Sequence, residues 1–103
     1  MKKTNHEKNP SELEIKLKKY LELTSKALEK VKIPQSLSQQ AKKSAEDLLD
    51  LSQRYFDDAK YFGKKGSLID AFGAIVYSHA FLDVGARLGL FDVGGDNKLF
   101  MVD

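Results

Sequence analysis

Apolar residues recur at steps of three and four along three stretches of the chain, a spacing that places side chains on one face of an α-helix. The first stretch follows Ser11 and stops before Pro34, the second stops at Gly66, and the third begins directly afterwards. A serine three residues before a glutamate, glutamine or aspartate, the capping-box pattern, opens each stretch: Ser11 with Glu14, Ser36 with Gln39 and Ser67 with Asp70. The pattern predicts helices over about 11–32, 37–65 and 67–90.

The connections between these helices are short. Proline disfavours helix at the residue before it, and glycine accepts the left-handed conformation that closes many helices. Helices joined by a few residues must run antiparallel. The sequence therefore predicts an all-α fold, an antiparallel up-and-down three-helix bundle over 11–90. Residues 1–10 are predicted to be a disordered lead-in, and 91–103 a short irregular C-terminal tail packed on the bundle.

The third helix is apolar on most sides, which is typical of a helix covered by two neighbours or by a second subunit. Beside its main apolar stripe runs a stripe made only of small residues, which would let another backbone approach closely. This candidate close-packing or interaction face consists of Ala71, Ala74, Ser78, Gly85 and Gly89. A homodimer contact or a partner helix is the predicted use of such a face. Ile15 and Leu23, which lie away from the apolar stripe of the first helix, are the alternative contact surface.

The strongest candidate for chemistry is His79 with Asp83 and Arg87, because steps of four place all three on one side of the third helix. A carboxylate held by a guanidinium can orient an imidazole as a general base or an anion site. Tyr77 is a candidate fourth member of this polar site. The same spacing also suits a structural ladder with a satisfied, partly buried histidine, and the sequence favours that interpretation.

Composition narrows the classes of function. The chain has no cysteine, so it has no disulfide, thiol nucleophile or zinc–thiolate site. No metal-ligand spacing, phosphate-binding loop or catalytic residue pattern was identified, and no cofactor is expected. The absence of a long uncharged apolar run and of a signal-peptide core predicts a cytoplasmic protein with no membrane partner.

Charge is distributed unevenly along the chain. The net charge is +2, but residues 1–33 carry nine lysines against five glutamates, whereas residues 34–103 carry eight basic and ten acidic side chains. An acidic partner could be attracted to the first helix, although a solvated face with alternating signs is the simpler interpretation. The lack of an arginine-rich or aromatic-interleaved basic stripe disfavours a nucleic-acid surface.

A long ordered set of motifs resembles an uncharacterised archaeal family, domain of unknown function 357. The motifs are the run from Tyr55 to Phe62, Lys65-Gly66, Asp70-Ala71-Phe72, the run from Tyr77 to Asp83, the run from Gly85 to Gly89, and Leu99-Phe100 with Val102. Ser67 and Leu68 depart from the acidic–aromatic pair expected at the turn. The resemblance implies a small three-helix bundle from an archaeal cytoplasm and no particular activity.

The sequence favours a non-enzymatic interaction or assembly module over an enzyme. The alternative is a nucleotide- or RNA-related ligand-binding or processing role centred on His79, Asp83 and Arg87. The two differ in which surface of the third helix they use, and the sequence does not identify a small-molecule ligand.

Overall fold

The computed structural model describes residues 10–102, which form three α-helices: α1 (Glu12–Lys30), α2 (Gln39–Lys65) and α3 (Leu68–Arg87). The helices pack against each other, with the most extensive contact between α2 and α3. The predicted all-α three-helix bundle is confirmed. The predicted lead-in lies outside the described residues, apart from Pro10.

The terminal signals at Ser11 and Gly66 act as predicted. Ser11 and Glu14 form a complete capping box, in which the Glu14 amide donates to Ser11 Oγ at 3.1 Å and the Ser11 amide donates to Glu14 Oε1 at 2.8 Å. Gly66 ends α2 with φ +80°, the left-handed conformation that an L side chain rarely adopts.

The cap predicted at Ser36 is wrong, and the cap at Ser67 has the predicted position without the predicted hydrogen bond. Ser38, rather than Ser36, is the cap of α2, and its hydroxyl accepts from the amide of Ala41 at 3.1 Å. The chain from Pro34 to Leu37 is still turning, so helix begins two residues later than the pattern suggested. Ser67 stands at the start of α3, but its side chain makes no capping hydrogen bond.

The contact between α2 and α3 is close because small side chains meet there. Ser52 and Ser78 are fully buried and bond reciprocally. Ser78 Oγ donates to the carbonyl of Ser52 and Ser52 Oγ donates to the carbonyl of Ser78, both at 2.8 Å. A hydroxyl that bonds a backbone carbonyl of the neighbouring helix holds the two backbones near each other.

The predicted small-residue stripe of α3 faces the inside of the chain. Four of its members are buried, namely Ala71, Ala74, Ser78 and Gly85. Within the described residues, this stripe is occupied by the chain's own packing, so it does not offer a surface to a second subunit.

Gly89, the fifth member, is not in the helix. The structure ends α3 at Arg87 rather than near residue 90, and Gly89 follows in the left-handed region with φ +78°. This reversal lets the amides of Leu90 and Phe91 donate to the carbonyl of Gly85, at 2.9 and 3.1 Å. The ring of Phe91 consequently lies against the backbone of Gly85, at the position that a side chain would occupy.

The C-terminal tail lies over the end of the bundle where α1 ends and α2 begins. Phe91, Val93 and Phe100 are buried there in one apolar cluster with Ala27 and Leu82. At Asp92 the tail pairs with the segment after α1. Asp92 and Lys32 exchange two backbone hydrogen bonds, at 2.7 and 3.1 Å, which tie the tail to this segment.

The apolar composition of α3 also raises the question of a membrane span. By length and composition alone, α3 could cross a membrane. Core helices of water-soluble bundles share these properties, so this is weak evidence. The cytoplasmic location stays a prediction.

Two glycines lie inside α3, Gly73 on its exposed side and Gly85 on its buried side, and they provide a matched test of this packing. A Cβ at position 85 would overlap the Phe91 ring, whereas a Cβ at position 73 would meet no atom within 4 Å. We expect Gly85→Ala to destabilise the fold by about 1–3 kcal/mol through overpacking. Gly73→Ala should stabilise it by up to about 1 kcal/mol through higher helix propensity.

Urea unfolding followed by circular dichroism, at low micromolar protein, measures both changes. Equal effects of the two substitutions would contradict the assigned contact between Gly85 and Phe91.

Candidate functional site

The structure brings His79, Asp83 and Arg87 together along the side of α3 that faces α1 and the tail. The His79 and Asp83 side chains are about three-quarters buried, with His79 Nε2 3.8 Å from Asp83 Oδ1. Tyr77 is not part of this group. It lies on another side of the helix, half exposed, with its ring centroid 5.4 Å from that of Tyr55.

Both ring nitrogens of His79 have partners. Nε2 lies 2.6 Å from the carbonyl oxygen of Leu99, which can only accept, so Nε2 carries a hydrogen and donates it. Nδ1 lies 3.0 Å from the hydroxyl of Thr24 in α1, which is 2% exposed. In the neutral imidazole Nδ1 accepts, and the buried hydroxyl donates to it. His79 thus links α1, α3 and the tail.

Asp83 and Arg87 both bind the backbone of Met101 in the tail. The amide of Met101 donates to Asp83 Oδ1 at 2.9 Å, and Arg87 Nη1 donates to the carbonyl of Met101 at 3.4 Å. Phe100 lies between the bonded backbone groups and is 2% exposed, with its ring centroid 6.3 Å from that of His79. We call the three side chains of α3 and the backbone of residues 99–101 the tail clasp.

The tail clasp has the chemistry of a structural connection. The imidazole of His79 is bonded on both sides, and its strongest acceptor is a backbone carbonyl rather than a carboxylate. Among residues 10–102, no three histidine, cysteine, aspartate or glutamate side chains are placed to hold a metal ion. Every buried side-chain nitrogen and oxygen in the same range has a hydrogen-bond partner. These contacts favour the structural ladder over a general base or an anion site, the other interpretation of the sequence.

A groove of about 370 Å³ runs between α1 and α3 beside the tail clasp. Its polar edge is formed by Thr24, His79 and Asp83, and the rest of its lining is apolar, namely Tyr20, Leu23, Ile75, Val76 and Ala80. The volume falls within the range of small-molecule sites, about 300–1,000 Å³. Because Thr24 bonds His79, and His79 and Asp83 bond the tail, the groove presents mainly apolar surface.

A turn at Asp96 positions residues 99–101 against the α3 side chains of the tail clasp. One carboxylate oxygen of Asp96 accepts from the amides of Leu99 and Lys98, at 3.0 and 2.9 Å, and the other lies 3.2 Å from Lys30 Nζ. The hydrogen bonds from the Leu99 and Lys98 amides, assisted by Lys30, lower the pKa of Asp96 below its ordinary value of 3.8. The ionised carboxylate therefore stabilises the turn.

Sequence reasoning missed the residues that complete the tail clasp. Thr24 is buried among the apolar residues of α1, and a polar side chain in such a position signals a buried hydrogen bond. Aspartate and asparagine side by side at positions 96 and 97 are typical of a turn, but they do not indicate which residue the turn brings to His79. No local pattern connects residue 24 or residue 99 with residue 79.

Replacing His79 tests the clasp. We expect His79→Ala to lower the free energy of unfolding by about 2–4 kcal/mol, because it opens a cavity and leaves the Thr24 hydroxyl and the Leu99 carbonyl without their partner. Amide exchange at Met101 should accelerate more than exchange at buried positions of α2, since the tail is released first. Tyr77→Ala, on the exposed side of α3, is the matched control and should leave Met101 exchange unchanged. Equal Met101 exchange in His79→Ala and wild type would contradict the clasp.

The Asp96 turn predicts a pH dependence. A carboxylate whose pKa is lowered in the folded state contributes stability above its unfolded pKa, and that contribution is lost as the pH falls through the folded pKa. We expect the Lys98 and Leu99 amide resonances to shift toward unstructured positions as the pH falls below 3.8. In Asp96→Asn these resonances should show no such titration, whereas Asp50→Asn on α2 should titrate as wild type. A tail transition that persists in Asp96→Asn would rule out this carboxylate as its cause.

The comparisons with known proteins give one result. A family model described as "Protein of unknown function (DUF357)" matches residues 19–91, which include all of α2 and α3 and most of α1. No curated protein and no solved structure matches the chain. The match ends before residues 99–101, so it includes the helix side of the tail clasp and excludes the tail side. The resemblance drawn from the sequence motifs is confirmed, and the chain belongs to the DUF357 family of proteins of unknown function.

Proposed function

We propose that this protein is a non-enzymatic assembly module that associates with a second copy of itself through the exposed apolar side of α3. The observation that carries the proposal is a continuous stripe along this helix, which we call the outer face. Its members are Ile69, Gly73, Val76, Tyr77, Ala80, Val84 and Leu88, all exposed and none of them charged.

The outer face differs from the exposed sides of the other helices. The exposed positions of α1 and α2 are mostly lysine, glutamate and aspartate, as expected for faces that meet water. On α3, Ile69 is 87% exposed, Leu88 69% and Tyr77 59%. Isolated exposed apolar residues are normal, but a stripe along a whole helix indicates a contact surface.

The size of the outer face supports an interface. Its five large side chains together expose on the order of 600 Å², the upper end of the roughly 300–600 Å² found for the largest patch on a monomer. A standard interface buries about 800 Å² on each partner. The neighbouring groove and Tyr20 of α1, 39% exposed, extend the apolar surface toward that area.

The alternative role, ligand binding or nucleotide or RNA processing at His79, Asp83 and Arg87, has less support. Each of these side chains binds the backbone of the chain's own tail. A nucleotide or short RNA that binds the wild type but not His79→Ala, with Met101 amide exchange unchanged, would favour the alternative.

The assembly proposal is tested with a charge on the outer face. We expect the wild type to sediment with a mass that rises with concentration toward twice the chain mass of 11.6 kDa. Val84→Lys should weaken association at least about ten-fold, since an unpaired ammonium would be buried in the dimer. The monomer should tolerate the change, because Val84 is 48% exposed.

Ile15→Lys is the matched control, since Ile15 is 57% exposed on α1 and lies away from the outer face. It should associate as wild type does. A wild type that stays at the monomer mass up to millimolar concentration would overturn the proposal. Loss of association in Ile15→Lys with retention in Val84→Lys would do so too, by moving the contact to α1.

A further inference from the structure

The outer face alternates between hollows and projections. Gly73 and Ala80 carry the smallest side chains, and they stand between the larger Ile69, Tyr77 and Val84. At Gly73 the hollow is open, because an added Cβ would meet no atom of the chain within 4 Å. A helix that packs here can approach closely at the small residues and must accommodate the large ones.

A second copy of α3 matches these hollows and projections when it runs antiparallel to the first, but not when it runs parallel. A two-fold axis at the middle of the stripe, between residues 78 and 79, sets Gly73 level with Val84 of the second copy and Ala80 level with Tyr77. Each hollow then receives a projection, as close packing requires. A parallel pair would set Gly73 against Gly73 and Val84 against Val84, which leaves voids at the hollows and crowding at the projections.

Charge also distinguishes the two directions. Asp70 is in the first turn of α3 and Arg87 in its last turn, so each side chain carries the charge opposite to the dipole end beside it and is stabilised there. A parallel pair would place like charges and like dipole ends together. An antiparallel pair brings the negative residue of one copy to the end of the other that carries the positive one, which is the complementary arrangement.

We infer that two copies of this protein pair through their α3 helices in an antiparallel, two-fold symmetric contact centred between Ser78 and His79. This inference rests on the proposed function and specifies its partner surface. Val76 and Ala80 border both the outer face and the groove beside the tail clasp. The pairing therefore places the grooves of the two copies next to each other, with Tyr20 of each copy at the rim.

Disulfide cross-linking measures the direction and the register, because the chain contains no native cysteine. A disulfide needs Cα atoms within about 7 Å of each other. Around the inferred axis, the two copies of residue 80 are offset by only about 4.5 Å along the helix, whereas the two copies of residue 88 are about 28 Å apart. Oxidised Ala80→Cys should run as a covalent dimer, and Leu88→Cys should stay a monomer.

A mixing experiment tests the register. Gly73→Cys and Val84→Cys should each fail to cross-link alone, since the two copies of either residue are about 16 Å apart along the helix. An equal mixture of the two variants should form a covalent heterodimer. Adding Val84→Lys to Ala80→Cys is the control for random collision and should abolish the cross-link.

The outcomes separate this inference from the proposed function. Cross-linking of Leu88→Cys or of Gly73→Cys alone would show a parallel pair and overturn the inference, while leaving assembly through the outer face intact. A concentration-dependent dimer in which none of these variants cross-links would overturn the inference as well. If sedimentation shows no dimer at all, the proposed function fails and the inference with it.

Discussion

The close approach of α2 and α3 at Ser52 and Ser78 determines how the rest of the bundle is arranged. Each hydroxyl bonds the backbone carbonyl of the other residue, and both side chains are fully buried. Only small residues fit where two backbones come this near, and the four stripe residues within α3 are all buried inside the chain. The larger apolar residues of α3 are left for its remaining sides. Phe72 and His79 face α1, and the outer face has no covering within the described residues.

The tail clasp shows how a polar ladder can be structural without being weak. An exposed ion pair on a helix contributes little, because water screens it and the side chains lose freedom. Here the polar atoms of α3 bind backbone groups around a buried phenylalanine, so each hydrogen bond also holds apolar surface in place. Loss of His79 would leave the Thr24 hydroxyl and the Leu99 carbonyl, both at least partly buried, without this partner, which costs more than the bonds themselves contribute. The apolar outer face has no comparable internal role.

The sequence predicted the features that depend on neighbouring residues. It did not predict the features that depend on contacts between residues far apart in the chain. The capping box of Ser11 and the turn at Gly66 are local, and both were found. The spacing of His79, Asp83 and Arg87 follows from helix periodicity alone, so the ladder was recognised. Its partners were not, because Thr24 lies 55 residues away from His79 and Leu99 lies 20 away.

Ser36 and Ser38 both suit a cap, and only the path of the chain after Pro34 selects between them. Gly89 looked like part of a packing stripe because the pattern could not show that α3 ends at Arg87.

The two-residue connection at Gly66 and Ser67 has a consequence for conformational entropy. Closing a loop costs more as the loop lengthens, although the increase is slow, and a short turn closes most easily. The α2–α3 contact therefore forms at the lowest entropic cost among the helix pairings of the chain. Contacts of such low sequence separation also favour rapid folding. The contact of α1 with His79 joins residues 55 positions apart in the chain, through the Thr24 hydroxyl. We therefore expect α1 to pack on a helical hairpin of α2 and α3 that has already formed.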